Sequence, residues 1–126
     1  MNSVQFEKWL NTYGECWEKG DAKAITSLFS DDAYYYETPF DEPMIGHSEI
    51  EQYWSDGADQ AQKNVVFHYT SASIIEMVGT CRWKANFSRV PSGINVEIDG
   101  YLEAHFNGDG KCTIFREWWH IKESTE

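Results

Sequence analysis

Between residues 3 and 18 the side chains of Phe6, Trp9, Leu10, Tyr13 and Trp17 recur at i, i+3, i+4, i+7 and i+11. That spacing draws one apolar stripe along a helix. Gly20 supplies the stop and Asp21 an N-cap for a second helix, with Ala24, Ile25, Leu28 and Phe29 on one face. The pattern therefore predicts a helical hairpin with a very short turn, ended by Asp31 and Asp32. Ala33–Thr38 is aromatic, closed by Pro39, and predicts a strand. Residues 39–46 hold Pro39, Pro43 and Gly46 and predict a loop. Ser48 followed by Glu51 fits a capping box. Ile50, Tyr53 and Trp54 then form the apolar face of a third short helix, ended at Gly57.

From Val65 onward the period changes to two, and long strands are expected at about 64–77, 80–90, 94–106 and 111–122. Pro91-Ser92-Gly93 and Asn107-Gly108-Asp109-Gly110 predict hairpin turns, and Gly79 marks another. Helices grouped ahead of a run of antiparallel strands predict one α+β domain spanning 1–126, with the helices on one face of the sheet.

Alternation also sorts the strand side chains into faces. Trp83, Ala85 and Phe87 share one face, as do Leu102, Ala104 and Phe106, and Phe115, Glu117 and Trp119. Tyr34, Tyr36 and Thr38 share a face of the first strand. Glu117 is the anomaly, a carboxylate on an otherwise aromatic inward face. Such a group must be paired, hydrogen-bonded or raised in pKa, and a raised pKa suits a general acid or base. Tyr13 or Tyr36 could donate to it or to a ligand oxygen. A purely structural Glu117, satisfied by Tyr13 or another donor, is the alternative.

Charge and composition narrow the partners. The 126 residues carry a net charge of −11, which repels nucleic acid and anionic membrane surfaces. Aromatic residues make up 16%, enough to line a cavity as well as fill a core. Cys16, Cys81 and Cys112 form no C-x-x-C motif, so neither a disulfide framework nor a zinc site is signalled. His47, His68, His105 and His120 lack metal spacing, and no phosphate loop or G-x-S-x-G occurs. No metal or cofactor is called for. With acidic Glu7 where an apolar signal core would sit, and no stretch as long as a membrane span, a cytoplasmic protein is expected.

The run Tyr13-Gly-Glu-Cys-Trp17-Glu-Lys-Gly20-Asp21 with Leu28-Phe29-Ser-Asp-Asp32-Ala33 resembles the opening of NTF2-like proteins. Tyr36-Glu37-Thr38-Pro39 through Tyr53-Trp54, and Phe106-Asn107-Gly108-Asp109-Gly110-Lys111 with Phe115-Arg116-Glu117-Trp118-Trp119-His120, extend the likeness over nearly the whole chain. Within that superfamily it is most similar to SnoaL-like proteins, related to ketosteroid isomerases and limonene epoxide hydrolases. The resemblance implies a cone: three N-terminal helices packed on a curved, mostly antiparallel sheet around a pocket.

Against the ketosteroid isomerases, the oxyanion-donor Tyr corresponds to Tyr13, but the general-base Asp falls on Thr38 and the second donor near Leu102, so that mechanism is not implied. The last-strand acid of the epoxide hydrolases and of some cyclases falls at about Glu117, without the rest of the hydrolase network. The fold hosts many chemistries. The expected function is a small-molecule pocket protein, a cofactor-independent isomerase, hydrolase or cyclase acting on a small apolar substrate. The alternative is a non-catalytic ligand-binding or protein-interaction subunit. Glu117 and Tyr13 are the candidate catalytic pair, and Tyr36, Thr38, Tyr53, Trp54, Trp83 and Trp119 the expected pocket wall. The outward set Arg82, Arg116 and Trp118 predicts a homodimer through the open sheet face.

Overall fold

The computed structural model describes residues 1–125. Helix α1, Ser3–Lys19, starts at a capping box in which Asn2 and Gln5 satisfy each other's backbone N–H, and ends at Gly20 in the left-handed conformation, φ 68°. Helix α2, Ala22–Thr26, is capped by the Asp21 carboxylate. It is shorter than its pattern predicts. Leu28 turns out of the helix, its carbonyl accepting from Cys112 N–H, and Phe29 opens strand β1, Phe29–Tyr36. The expected loop contains a two-residue strand β2, Met44–Ile45, paired with β1. Helix α3, Gly46–Trp54, begins ahead of the expected Ser48 cap; its N-cap position is Ile45, whose N–H donates to the Glu49 side chain. Gly57 does not end the helical stretch but lies inside a π turn, Ser55–Asp59.

Strands β3 (Gln62–Ile75), β4 (Val78–Arg89), β5 (Asn95–Phe106) and β6 (Cys112–Ser124) complete one six-stranded sheet of order β2-β1-β6-β5-β4-β3. All neighbours are antiparallel except β1 and β6, which run parallel. The β3–β4 turn falls on Glu76 and Met77, both at positive φ as a primed two-residue hairpin requires. Gly79 is therefore not the turn residue. It lies in β4 against the Phe6 ring, which a Cβ there would meet at 2.6 Å. Register shifts in β3 at Lys63/Val66 and Thr70/Ser73 coincide with positive φ at Asn64 and Ser71, the kind of bulge that bends a strand.

The result is an α+β fold whose core lies between α1, α3 and one face of the sheet. Tyr13 is at its centre. Its ring stacks on Trp9 and Phe115 at 5.5 and 5.6 Å and meets Trp54 and Phe67 edge-on at 5.5 Å. No helix among the described residues is long and apolar enough to cross a membrane.

Candidate functional site

Strand β6 carries Phe115, Glu117 and Trp119 toward the helices, while Trp118 faces out, 45% exposed. Glu117 is 6% exposed. It borders a cleft of about 190 Å³ between the end of α1, the α3–π-turn segment and the facing halves of β4, β5 and β6. Tyr13 and Trp17 come from α1, Tyr53 and Trp54 from α3, Trp83 and Phe87 from β4, and Trp119 from β6. Gln62, Arg89 and Ile121 stand at the less buried rim.

Among the described residues no hydrogen bond or ion pair reaches the Glu117 carboxyl. Burial drives its pKa well above the ordinary carboxylate value, and the charge of nearby Glu37 adds to the rise. The phenols around it respond the same way. Tyr13, Tyr35 and Tyr53 are all raised, first by burial and next by the Glu117 charge. The three hydroxyls and the carboxyl thus favour their neutral, proton-bearing forms. Tyr13 and Tyr35 share a 3.4 Å hydroxyl contact, and Tyr53 donates to a Glu37 oxygen at 2.7 Å.

Glu37 was not legible as a site residue, and its position explains two corrections to the expected wall. Along β1 and the residues just after it the inward parity is Ala33, Tyr35 and Glu37, not Tyr34, Tyr36 and Thr38. Ala33 and Tyr35 are fully buried and Glu37 borders the cleft. Tyr36 instead stacks on Tyr34 at 6.5 Å on the outer side, with the Arg116 guanidinium 4.3 Å from its ring centre. Thr38 is absent from the cleft wall, and its hydroxyl accepts from Phe40 N–H in the turn that follows. Three consecutive tyrosines give alternation nothing to distinguish; small, apolar Ala33 was the usable signal for the inward face. Asp99 faces outward, held by two bonds to Arg82 at 3.1 and 2.7 Å.

The tryptophans are fixed from behind. Trp17 donates to the Gln62 side chain at 2.8 Å and Trp119 to the Glu37 carbonyl at 3.2 Å. Gly100 pairs with both Trp83 and Trp119; a Cβ there would lie 2.9 Å from Trp119 Cβ and 2.5 Å from the Trp118 carbonyl. Its bare backbone lets these two side chains sit side by side. The indole nitrogens of Trp54 and Trp83 are buried without a hydrogen-bond partner. Both rings stand against Trp17 at steep angles, 76° and 63°.

A broader depression of about 460 Å³ lies at the other end of α1, beside Met1, Trp9, Met77 and the Asn107–Gly110 turn. Its Trp9 indole is already bonded to the Leu28 carbonyl. Among the described residues no cluster of three or more His, Cys, Asp or Glu could hold a metal ion.

The family profile of the SnoaL-like domain matches residues 7–109. The chain belongs to the SnoaL-like family. No curated protein matches this SnoaL-like chain in sequence. Its fold is similar to that of the epoxide hydrolase/cyclase-like enzyme SalBIII, described for its role in pyran ring formation in the polyether salinomycin. The TM-score is 0.79 at 16% identity, covering 91% of this chain and 92% of that one. It is also similar to a hypothetical protein of ketosteroid isomerase-like fold from Catenulispora acidiphila, solved in complex with trimethylamine. There the TM-score is 0.77 at 15% identity, over 87% and 83% of the two chains. At these identities the likeness to both structures is one of fold. What this chain shares with them is the α+β fold. Glu117 and Glu37 both border the cleft of this chain.

Proposed function

We propose that the chain is a cofactor-independent acid–base enzyme, of the isomerase, hydrolase or cyclase kind, acting on a small and largely apolar molecule held in the Glu117 cleft. The observation that carries this reading is a buried carboxyl, facing a tryptophan-walled cleft, with no hydrogen-bond or ion-pair partner among the described residues. A carboxyl left unsatisfied in an apolar setting is costly, and burial shifts it toward its protonated form. In that form it can donate to a substrate oxygen as a C–O bond opens or a carbonyl enolises. The carboxylate so formed then recovers a proton from the attacking hydroxyl or from carbon. Tyr13, neutral and beside Tyr35, supplies a hydroxyl next to the acid. Tyr53, Trp54, Trp83 and Trp119 provide the apolar wall.

The fold is compatible with such chemistry, since a fold neighbour is described as an epoxide hydrolase/cyclase-like enzyme. The cleft volume lies below the ~300–1,000 Å³ common for drug-sized ligands, which favours a small substrate. A metabolite library screened by thermal shift tests ligand binding. Turnover of any hit by the parent and by Glu117→Gln tests chemistry. Hits that bind but are never transformed would leave a ligand-binding subunit instead.

We also infer a homodimer through the outer sheet face, supported by exposed Trp118, Tyr101 and Tyr34 beside Arg116. Three free, buried thiols support a reducing, cytoplasmic setting.

A further inference from the structure

The cleft offers the Glu37 carboxylate no counter-charge among the described residues. Two carboxyl groups, Glu37 and Glu117, border it, and Arg89 is its one cation among the described residues. Arg89 stands at the rim and is engaged elsewhere, its Nε 3.4 Å from Glu123 and its guanidinium 5.9 Å from the Phe87 ring centre. Neither Glu37 nor Glu117 takes part in an ion pair among the described residues. Much of the remaining wall is aromatic, with Trp17, Trp54, Trp83 and Trp119 joined by Tyr53.

We propose that the cleft takes a small organic cation, an alkylammonium group seated among the rings of Tyr53, Trp54 and Trp119 with the Glu37 carboxylate as its counter-charge. This rests on the reading of the cleft as a ligand site and names the substrate class for it. Ring faces attract cations through their quadrupole, most strongly for tryptophan and where water is excluded, and cages of such rings recognise alkylated ammonium groups. A carboxylate beside the rings supplies the charge that the rings alone do not. The Glu37 group is well placed for this, since Tyr53 donates to only one of its oxygens and Trp119 fixes its backbone.

An anionic ligand would face two carboxyl groups with no free cation in the cleft. A neutral hydrocarbon would leave the Glu37 charge against an apolar surface. At longer range, the net charge of −11 draws small cations toward the protein. The 190 Å³ of the cleft suits a compact group with methyl or ethyl substituents.

The test compares choline and tetramethylammonium chlorides with 3,3-dimethylbutan-1-ol, in which a quaternary carbon replaces the nitrogen of choline. Each is titrated at matched ionic strength into ¹⁵N-labelled protein, and the indole N–H resonances are followed. The expected result is a saturable shift of the Trp119 signal with the two cations and none at outward-facing Trp118. The neutral alcohol should bind about tenfold more weakly or worse. Glu37→Gln, which keeps an acceptor for Tyr53, should weaken choline by a similar factor. Equal or tighter binding of the alcohol at Trp119 overturns the cation assignment and leaves the ligand site standing. Cation shifts that do not saturate, or that appear at Trp118 alone, mean surface screening and overturn it too. If no probe moves Trp119, the cation assignment falls, and the metabolite screen alone then decides whether the cleft binds a ligand.

Discussion

The hydroxyl of Tyr53 donates to Glu37 at 2.7 Å and so ties α3 to the end of β1 across the mouth of the cleft. Burial and the neighbouring carboxyls hold the Tyr53 phenol in its protonated form, which keeps it a donor. Tyr53→Phe removes this bond and leaves Glu37 with one oxygen fewer satisfied. Hydrogen bonds to charged groups contribute about 1.5–3 kcal/mol, and partial exposure of this pair places the expected loss near the lower end. Urea unfolding of the two proteins measures it. Equal midpoints would mean that the contact does not hold the mouth together.

Gly100 supports the opposite wall. Gly100→Ala puts a methyl against the Trp118 carbonyl and the Trp119 side chain, neither of which is the free end of a flexible group. Overpacking of this kind costs about 1–3 kcal/mol. The variant should melt below the parent and show altered near-ultraviolet circular dichroism, because the adjacent indoles must move. An unchanged spectrum and melting point would place the two tryptophans less tightly than described.

The outer sheet face carries the assembly prediction. A dimer that uses Trp118 and Tyr101, 45% and 50% exposed in the single chain, should bury at least about 1,000 Å² in total. Light scattering at micromolar concentration should give twice the chain mass for the parent and the single-chain mass for Trp118→Glu. A monomeric parent removes this interface.

The legible parts of the fold were those with an unambiguous period. The α1 stripe and the alternation of β4, β5 and β6 set Trp83, Leu102 and Phe115 inward, and the same count marked Glu117 as the one carboxyl among them. The illegible parts were those where local sequence carries two meanings. Phe29 extends a helical stripe and also opens a strand. Which role it takes depends on Cys112, 83 residues away in sequence, bonding to Leu28. Gly79 reads as a turn, yet it is needed for the approach of Phe6. Tyr34, Tyr35 and Tyr36 hide their own parity, and with it the inward position of Glu37. No local pattern could place Glu37, because its neighbours in the cleft come from α3 and β6.

Burial of Glu117 has a consequence for stability. Its pKa in the folded protein is raised above the unfolded value, so the folded state holds this proton more tightly. The contribution is fully present below the unfolded pKa, about 4.3, and is lost as pH rises through the folded pKa. Glu117→Gln abolishes that dependence. The variant should therefore gain stability relative to the parent as pH rises from about 4 to 8, with the gain absent at the acid end. A constant difference across the range would mean that Glu117 ionises as freely folded as unfolded.

The claim that Glu117 is a proton-holding group facing the cleft is tested most directly by its own titration. The side-chain carboxyl ¹³C resonance of Glu117, identified by its absence from Glu117→Gln, can be followed from pH 3 to pH 9. The account predicts a midpoint well above that of the exposed glutamates, and a change in that midpoint when a cleft ligand is added. A midpoint among those of the exposed glutamates, unmoved by any ligand that binds, would contradict it.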